Sequence, residues 1–131
     1  MIVVDSSAIV GILKLEPDAE VLLRRLLQDT VRAISAATLL ETSVVLRTLD
    51  KAPVSDEALD QLVARTLTVH DVTADLVRIA REAHLRFGKG MGHPAQLNFG
   101  DCFSYALAKS LDVPLLYKGG DFAKTDIKSA L

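Results

Sequence analysis

The chain is poor in several things that would have pointed to particular functions. Its 131 residues include no tryptophan, two tyrosines, four phenylalanines and one cysteine. So few aromatics exclude an extended stacking platform for single-stranded nucleic acid. A lone Cys102 excludes an internal disulfide and fits a reducing, cytoplasmic setting. Neither charge sign dominates: 15 basic against 17 acidic residues leave a net charge of -2. Any basic surface must therefore be local. No apolar run approaches the roughly 20 residues of a membrane span. A secretory signal is not expected either, because no basic stretch precedes a long apolar one at the start. His70, His84 and His93 stand apart, without metal-ligand spacing, and Cys102 has no evident base beside it. With no repeat or linker, residues 1–131 read as a single domain, long enough to bury about two-thirds of its unfolded surface.

What is present is a run of short apolar segments separated by amphipathic ones. Ile2 to Val4 is a β-branched run that suits a strand buried on both faces. Helical patterns follow over Ser6–Leu13 and from Pro17 to about Gln28. Val31–Ile34 is a second strand expectation, with Ser35 capping a helix that runs to about Leu49. Ser55 caps a helix over Asp56–Arg65, and Leu67–His70 is a third strand. Thr73 caps a helix to Phe87 with Leu76, Ala80, Ala83 and Phe87 on one stripe. Gly88 to Gly100 reads as a loop, Asp101–Ser110 as a helix and Val113–Tyr117 as a fourth strand. Gly119-Gly120 reads as a turn, and an edge strand is expected near Ile127. Strands alternating with helices imply an α/β fold: three layers, α/β/α, around a mostly parallel sheet of four to five strands.

In such sheets, chemistry gathers at the carboxyl ends of the strands. Asp5 and Asp121 lie just past strand ends, while Glu41 and Asp101 lie near helix starts. Each has an ordinary explanation as a cap, a turn residue or a surface acid; Asp126 reads as a cap or surface acid too. Glu41 is the most informative, since its neighbours along the helix are Ala37, Thr38, Val44 and Val45. A carboxylate buried among such side chains costs several kcal/mol unless it has a partner. If the four acids share a cleft, their mutual repulsion calls for a hard cation with oxygen ligands, Mg²⁺ or Mn²⁺. Such an ion activates water and stabilises a phosphate in displacement, which points to phosphodiester hydrolysis.

The stretches MIVVDSSAIVGIL, SAATLLETSVVL, LNFGDCFSYALAK and PLLYKGGDFAKTDI resemble PIN-domain ribonucleases, specifically VapC-type toxins of toxin–antitoxin pairs. The resemblance covers nearly the whole chain. It implies that Asp5, Glu41 and Asp101 are the first three acids of the family's metal site and Asp121 the weaker fourth. It also implies that Ser7 is a supporting hydroxyl. The chain departs from the family pattern at Gly120, where related sequences often carry another acid or Asn. The resemblance further implies RNA cleavage with one or two Mg²⁺ or Mn²⁺ ions, inhibition by a small VapB-type antitoxin, and a homodimer.

RNA approaching an acidic cleft needs cations nearby to hold its phosphates. Arg86, Lys89, His93 and Lys118 are the candidates, with Arg78 and Arg81 as readily explained by a solvated helix face. Leu22, Leu23, Leu26 and Leu27 form an apolar stripe for the core or a partner. Three other readings compete. A receiver-like signalling domain would use Asp71 as phosphoacceptor and Lys118 as its lysine, but Asp5 is followed by serines where a receiver has an acidic pair. A haloacid-dehalogenase-like phosphatase needs an acid where Ser7 stands. A catalytically silent binding module would retain the fold alone.

Overall fold

The structure, a computed structural model, describes residues 1–48 and 53–131. In chain order it contains β1 (Ile2–Val4), α1 (Ser6–Leu13), α2 (Ala19–Gln28), β2 (Arg32–Ser35), α3 (Ala36–Thr48), α4 (Asp56–Thr66), β3 (Thr68–His70), α5 (Ala74–Phe87), α6 (Phe99–Leu111) and β4 (Leu115–Leu116). A short 3-10 turn, Phe122–Lys124, follows. The four strands form one parallel sheet in the order β3-β2-β1-β4. Val3 sits beside Ala33 on one side and Leu115 on the other.

Alternation along β1 divides the core. Val3 faces a cluster that includes Phe87, Leu97, Tyr105 and Leu107, from α5, α6 and the loop between them. Ile2 and Val4 face the opposite cluster, with Ile9, Leu22, Leu26, Leu46 and Leu59 from α1 to α4. Both faces of the sheet are therefore covered, which explains why β1 reads as an unbroken apolar run. The result is the three-layer α/β/α arrangement expected from the sequence, with four strands. Because β2 and β4 flank β1, the chain reverses its direction of travel between β1 and β4. In open α/β sheets, ligand clefts lie outside the strand ends at such a point.

Several boundaries differ from the sequence reading. Ser35 closes β2 and directly precedes α3, which begins at Ala36. The strand lies one residue later than expected, and it accommodates Arg32 at its start: the guanidinium donates to the carbonyls of Leu26 and Thr66 at 2.8 and 3.2 Å. The expected end of α3 at Leu49 lies outside the described residues. Helix α6 starts at Phe99, two residues early, because Asn98 and not Asp101 is the cap. The Asn98 side chain accepts from the Asp101 amide at 2.9 Å, and Asp101 accepts from the Asn98 amide at 3.0 Å, a capping box. Asn98→Ala is expected to cost about 1 kcal/mol in chemical denaturation. The fourth strand shrinks to Leu115–Leu116. The tail adds no edge strand, only a single bridge from Leu115 to Ser129.

On α2, Leu22 and Leu26 are core, while Leu23 and Leu27 are exposed. The apolar stripe expected for α5 holds, with Ala80, Ala83 and Phe87 buried. Among the described residues no helix is long and apolar enough to cross a membrane.

Candidate active site

A cavity of about 540 Å³ opens at the carboxyl ends of β1 and β4 and is lined by Asp5, Glu41, Asp101 and Asp121. The four acids arrive from four different elements. Asp5 caps α1 directly after β1. Glu41 projects from α3, and Asp101 stands in the first turn of α6. Asp121 follows the turn after β4, where Gly119 takes a φ of +96° that side-chain-bearing residues rarely adopt. Asp126 stays outside this cavity. It accepts from the Tyr105 hydroxyl at 2.6 Å and pairs with Lys109 at 2.9 Å, so it ties the tail to α6.

Asp5 is 2% exposed and fully engaged. One oxygen, Oδ2, accepts from the Ser7 amide at 3.0 Å and the Ser7 hydroxyl at 2.7 Å. The other, Oδ1, accepts from the Ser104 hydroxyl at 2.6 Å. Ser7 also accepts from the Lys118 amide at 2.9 Å, which fastens the segment leaving β4 to the same carboxylate. Since Ser104 spends its hydrogen on Asp5, the Thr38 hydroxyl must be the donor in its 3.1 Å contact with Ser104. Ser104 is wholly buried. Sequence reading missed it. The available signal was its place three residues after Asp101, on the same face of the helix. Ser104→Ala leaves Asp5 Oδ1 and the Thr38 hydroxyl short of a partner. It is expected to cost about 1–3 kcal/mol in urea unfolding.

Arg47 pairs with Asp56 at 2.7 Å, while the Glu41 carboxylate accepts from the Ser6 hydroxyl at 2.5 Å. Burial, and then the neighbouring Asp5, push its pKa up against the opposing effect of the Ser6 bond. Asp101 moves further, from an ordinary 3.8 to about 7. Burial is the main cause. The hydrogen bond from Asn98 opposes it, and the charges of Asp5, Glu41 and Asp121 add to the rise. The one lysine lining the cavity, Lys118, is bound by Glu16 and by Asp18, the latter at 2.9 Å. Among the described residues, the protein thus gathers negative charge here without a matching basic side chain.

All the donors are carboxylate or hydroxyl oxygens, the ligand chemistry of Mg²⁺ and Mn²⁺. Among the described residues, no three Asp, Glu, His or Cys side chains already stand in a coordinating arrangement. Hydrogen bonds from Ser6, from Ser7 and Ser104, and from the Asn98 amide engage the carboxylates of Glu41, Asp5 and Asp101. The set fits a hard cation by its chemistry and by its excess charge.

The other expected residues are dispersed. Arg86 pairs with Asp126 at 3.7 Å and lies over the Phe87 ring. His93 Nδ1 accepts from the Ala95 amide at 3.0 Å, and its ring meets Phe87 edge-on. Lys89 is exposed. None of these three lines the acidic cavity, whereas Lys118 does. Asp71 is exposed after β3, at the far edge of the sheet, and it too is outside the cavity, so the receiver arrangement does not form. Burial pushes the Cys102 thiol up to about 11, which leaves it protonated and unsuited to attack. A larger cavity of about 840 Å³ lies between α5 and α6, and none of the four acids lines it.

A doubly covered parallel sheet with four acids meeting at its reversal point defines an α/β protein with an acidic, oxygen-donor cleft. Comparison with known families matches residues 2–128 to the PIN domain. Curated relatives include VapC ribonuclease Mb0625 of Mycobacterium bovis and ribonuclease VapC28 of Mycobacterium tuberculosis. Each is 47% identical over 130 residues, covering 98% of this chain and 97% of the relative. Ribonuclease VapC of Mycolicibacterium smegmatis is 46% identical over 125 residues, 95% of this chain and 96% of its own. Among solved structures, Mycobacterium tuberculosis VapC20, described as a sarcin–ricin loop cleaving toxin, superposes with a TM-score of 0.74 at 22% identity, covering 97% of this chain and 96% of that one. The chain therefore belongs to the PIN-domain family, within its VapC ribonuclease group.

Proposed function

We propose that this protein is a divalent-metal-dependent endoribonuclease and the toxin of a toxin–antitoxin pair, with Asp5, Glu41, Asp101 and Asp121 as its metal-holding residues. The observation that carries the reading is the convergence of Asp5, Glu41, Asp101 and Asp121, from four separate elements, on one cavity. Burial and the three neighbouring acids push the Asp101 carboxyl up to about 7. Such a cluster costs stability and makes sense if a cation arrives to relieve it. When bound, Mg²⁺ or Mn²⁺ supplies Lewis acidity toward a phosphoryl oxygen and acidifies water. The chain's own part is to hold that charge in place. Ser7 and Ser104 fix Asp5, Ser6 restrains Glu41, and the capping box sets Asp101.

RNA as substrate is supported by the ribonuclease names of relatives at 40 to 47% identity. A VapB-type antitoxin as partner, cytoplasmic action and a homodimer fit the same group. Two structural neighbours are described as a toxin–antitoxin complex from Klebsiella pneumoniae and as VapBC2 from Rickettsia felis bound to a promoter DNA fragment. Exposed Leu23 and Leu27 on α2 offer apolar surface for such contacts. Among the cations, Lys118 lines the cleft, and Arg86, Lys89 and His93 would hold RNA further out.

The test is antitoxin-free protein on a panel of structured RNAs with Mg²⁺ or Mn²⁺. Cleavage that stops on chelation and fails in Glu41→Gln supports the reading. Cleavage by Glu41→Gln at the parent rate contradicts it.

A further inference from the structure

We propose that Gly100 is a positioning residue: its missing side chain forms the socket that holds the Glu41 carboxylate beside Asp5 and Asp101. The position has no other need of glycine. Gly100 lies in the second position of α6. It is not among the glycines with positive φ, which are Gly90, Gly92 and Gly119. Its backbone is therefore open to any residue, and alanine is the better helix former. What stands in the way is Glu41. A Cβ built on Gly100 would overlap Glu41 Oε2 and Cδ and would come 3.0 Å from Oε1. A Cβ at Gly90, Gly92, Gly119 or Gly120 would meet nothing within 4 Å, one at Gly11 would meet Leu22, Lys118 and Glu16, and one at Gly88 would meet His84; at Gly100 all three nearest atoms belong to the Glu41 carboxylate.

The socket has three walls. Ser6 holds Oε1 at 2.5 Å, the α6 backbone at Gly100 lies against Oε2, and α3 supplies the stem. Glu41 is only partly buried, so its carboxylate can swing away when the socket is filled. Adding a methyl group at position 100 would push Glu41 off Ser6, out toward solvent and away from the other acids. The adjacency also explains why the glycine immediately precedes Asp101. One turn of helix then presents Asp101 to the cleft and leaves room for the acid facing it.

The steric claim stands on geometry alone, whereas its catalytic consequence rests on the ribonuclease reading above. The test is a mutant cycle on the metal-free full-length protein, read by melting temperature, with RNA cleavage measured after Mn²⁺ is added. Gly100→Ala is expected to shift the melting temperature less favourably in the parent, where Glu41 must give up Ser6, than in Glu41→Ala, where the socket is empty and alanine is the better helix former. In cleavage, a displacement of about 1 Å costs on the order of 10²-fold. Gly100→Ala should therefore slow the parent about 100-fold. In the Glu41→Asp background, whose shorter side chain clears the added methyl group, the further loss should be under about 3-fold. Gly100→Ala overturns the proposal if it shifts the melting temperature equally in the parent and in Glu41→Ala. The same fold-loss of cleavage in the parent and in Glu41→Asp overturns it too. If the parent cuts none of the RNAs, the ribonuclease reading fails, and the melting-temperature cycle still decides the socket.

Discussion

Asp5→Asn is expected to abolish RNA cleavage, by about 10³-fold or more, and to leave a folded protein. The amide keeps the shape of the carboxylate. Its oxygen can still accept from the Ser7 amide and hydroxyl, and its NH₂ can donate to Ser104 once that hydroxyl rotates, so the hydrogen bonds now made at 3.0, 2.7 and 2.6 Å have replacements. What disappears is a full negative charge at the centre of the cleft, where a hard cation would bind. Loss of a single group aimed at the reacting centre costs about 10²–10³-fold, and loss of one member of a set acting as a unit costs more. The check pairs single-turnover cleavage with circular dichroism. A folded Asp5→Asn variant that still cleaves at a tenth of the parent rate would remove Asp5 from the machinery.

Asp101→Asn is expected to remove cleavage and yet to stabilise the metal-free protein above neutral pH. The sign follows from the direction of the shift. The folded state holds the Asp101 proton up to about pH 7, whereas the unfolded chain releases it near the ordinary 3.8. Between those values the folded state binds more protons, so stability falls as pH rises through this window. Glu41, also raised, adds to the same slope. Asparagine mimics the protonated form, keeps an oxygen for the Asn98 amide and has no charge to bury. In chelator, the melting temperature of the parent should drop relative to Asp101→Asn from pH 5 to pH 8, with the two near each other at the acid end. A difference that does not change with pH would show that Asp101 titrates normally.

The sequence made the acids legible because each sat at a position that a parallel α/β sheet turns toward one end. Asp5 after an unbroken apolar run and Asp121 after Gly119-Gly120 were readable as strand-end residues. Glu41 was readable because its helical neighbours were apolar. The hydroxyls were harder. Ser104 lies within the continuous helical pattern of FSYALAK, where a small polar residue looks like an ordinary interior contact. Only the fold brings it to Asp5, 99 positions away. In the sequence Gly100 closes a loop-like stretch with four glycines between positions 88 and 100, and only the approach of α3 to α6 gives it a different role. A boundary slipped where one side chain decided it: Asn98, as the cap, moved the start of α6 to Phe99. The cations were least legible. Ion pairing depends on tertiary placement, and Arg86 and Lys118 are committed to Asp126 and to Glu16 with Asp18.

The most direct measurement is equilibrium binding of Mn²⁺ to the antitoxin-free protein, followed by calorimetry at pH 6 and pH 8. If the four acids act as one cation site, the parent binds at pH 8, binds more weakly at pH 6 where Asp101 takes up its proton, and loses binding in Asp5→Asn and Glu41→Gln alike. Binding that is equally strong in the parent and in both variants, or no binding by the parent at either pH, would contradict a shared cation site.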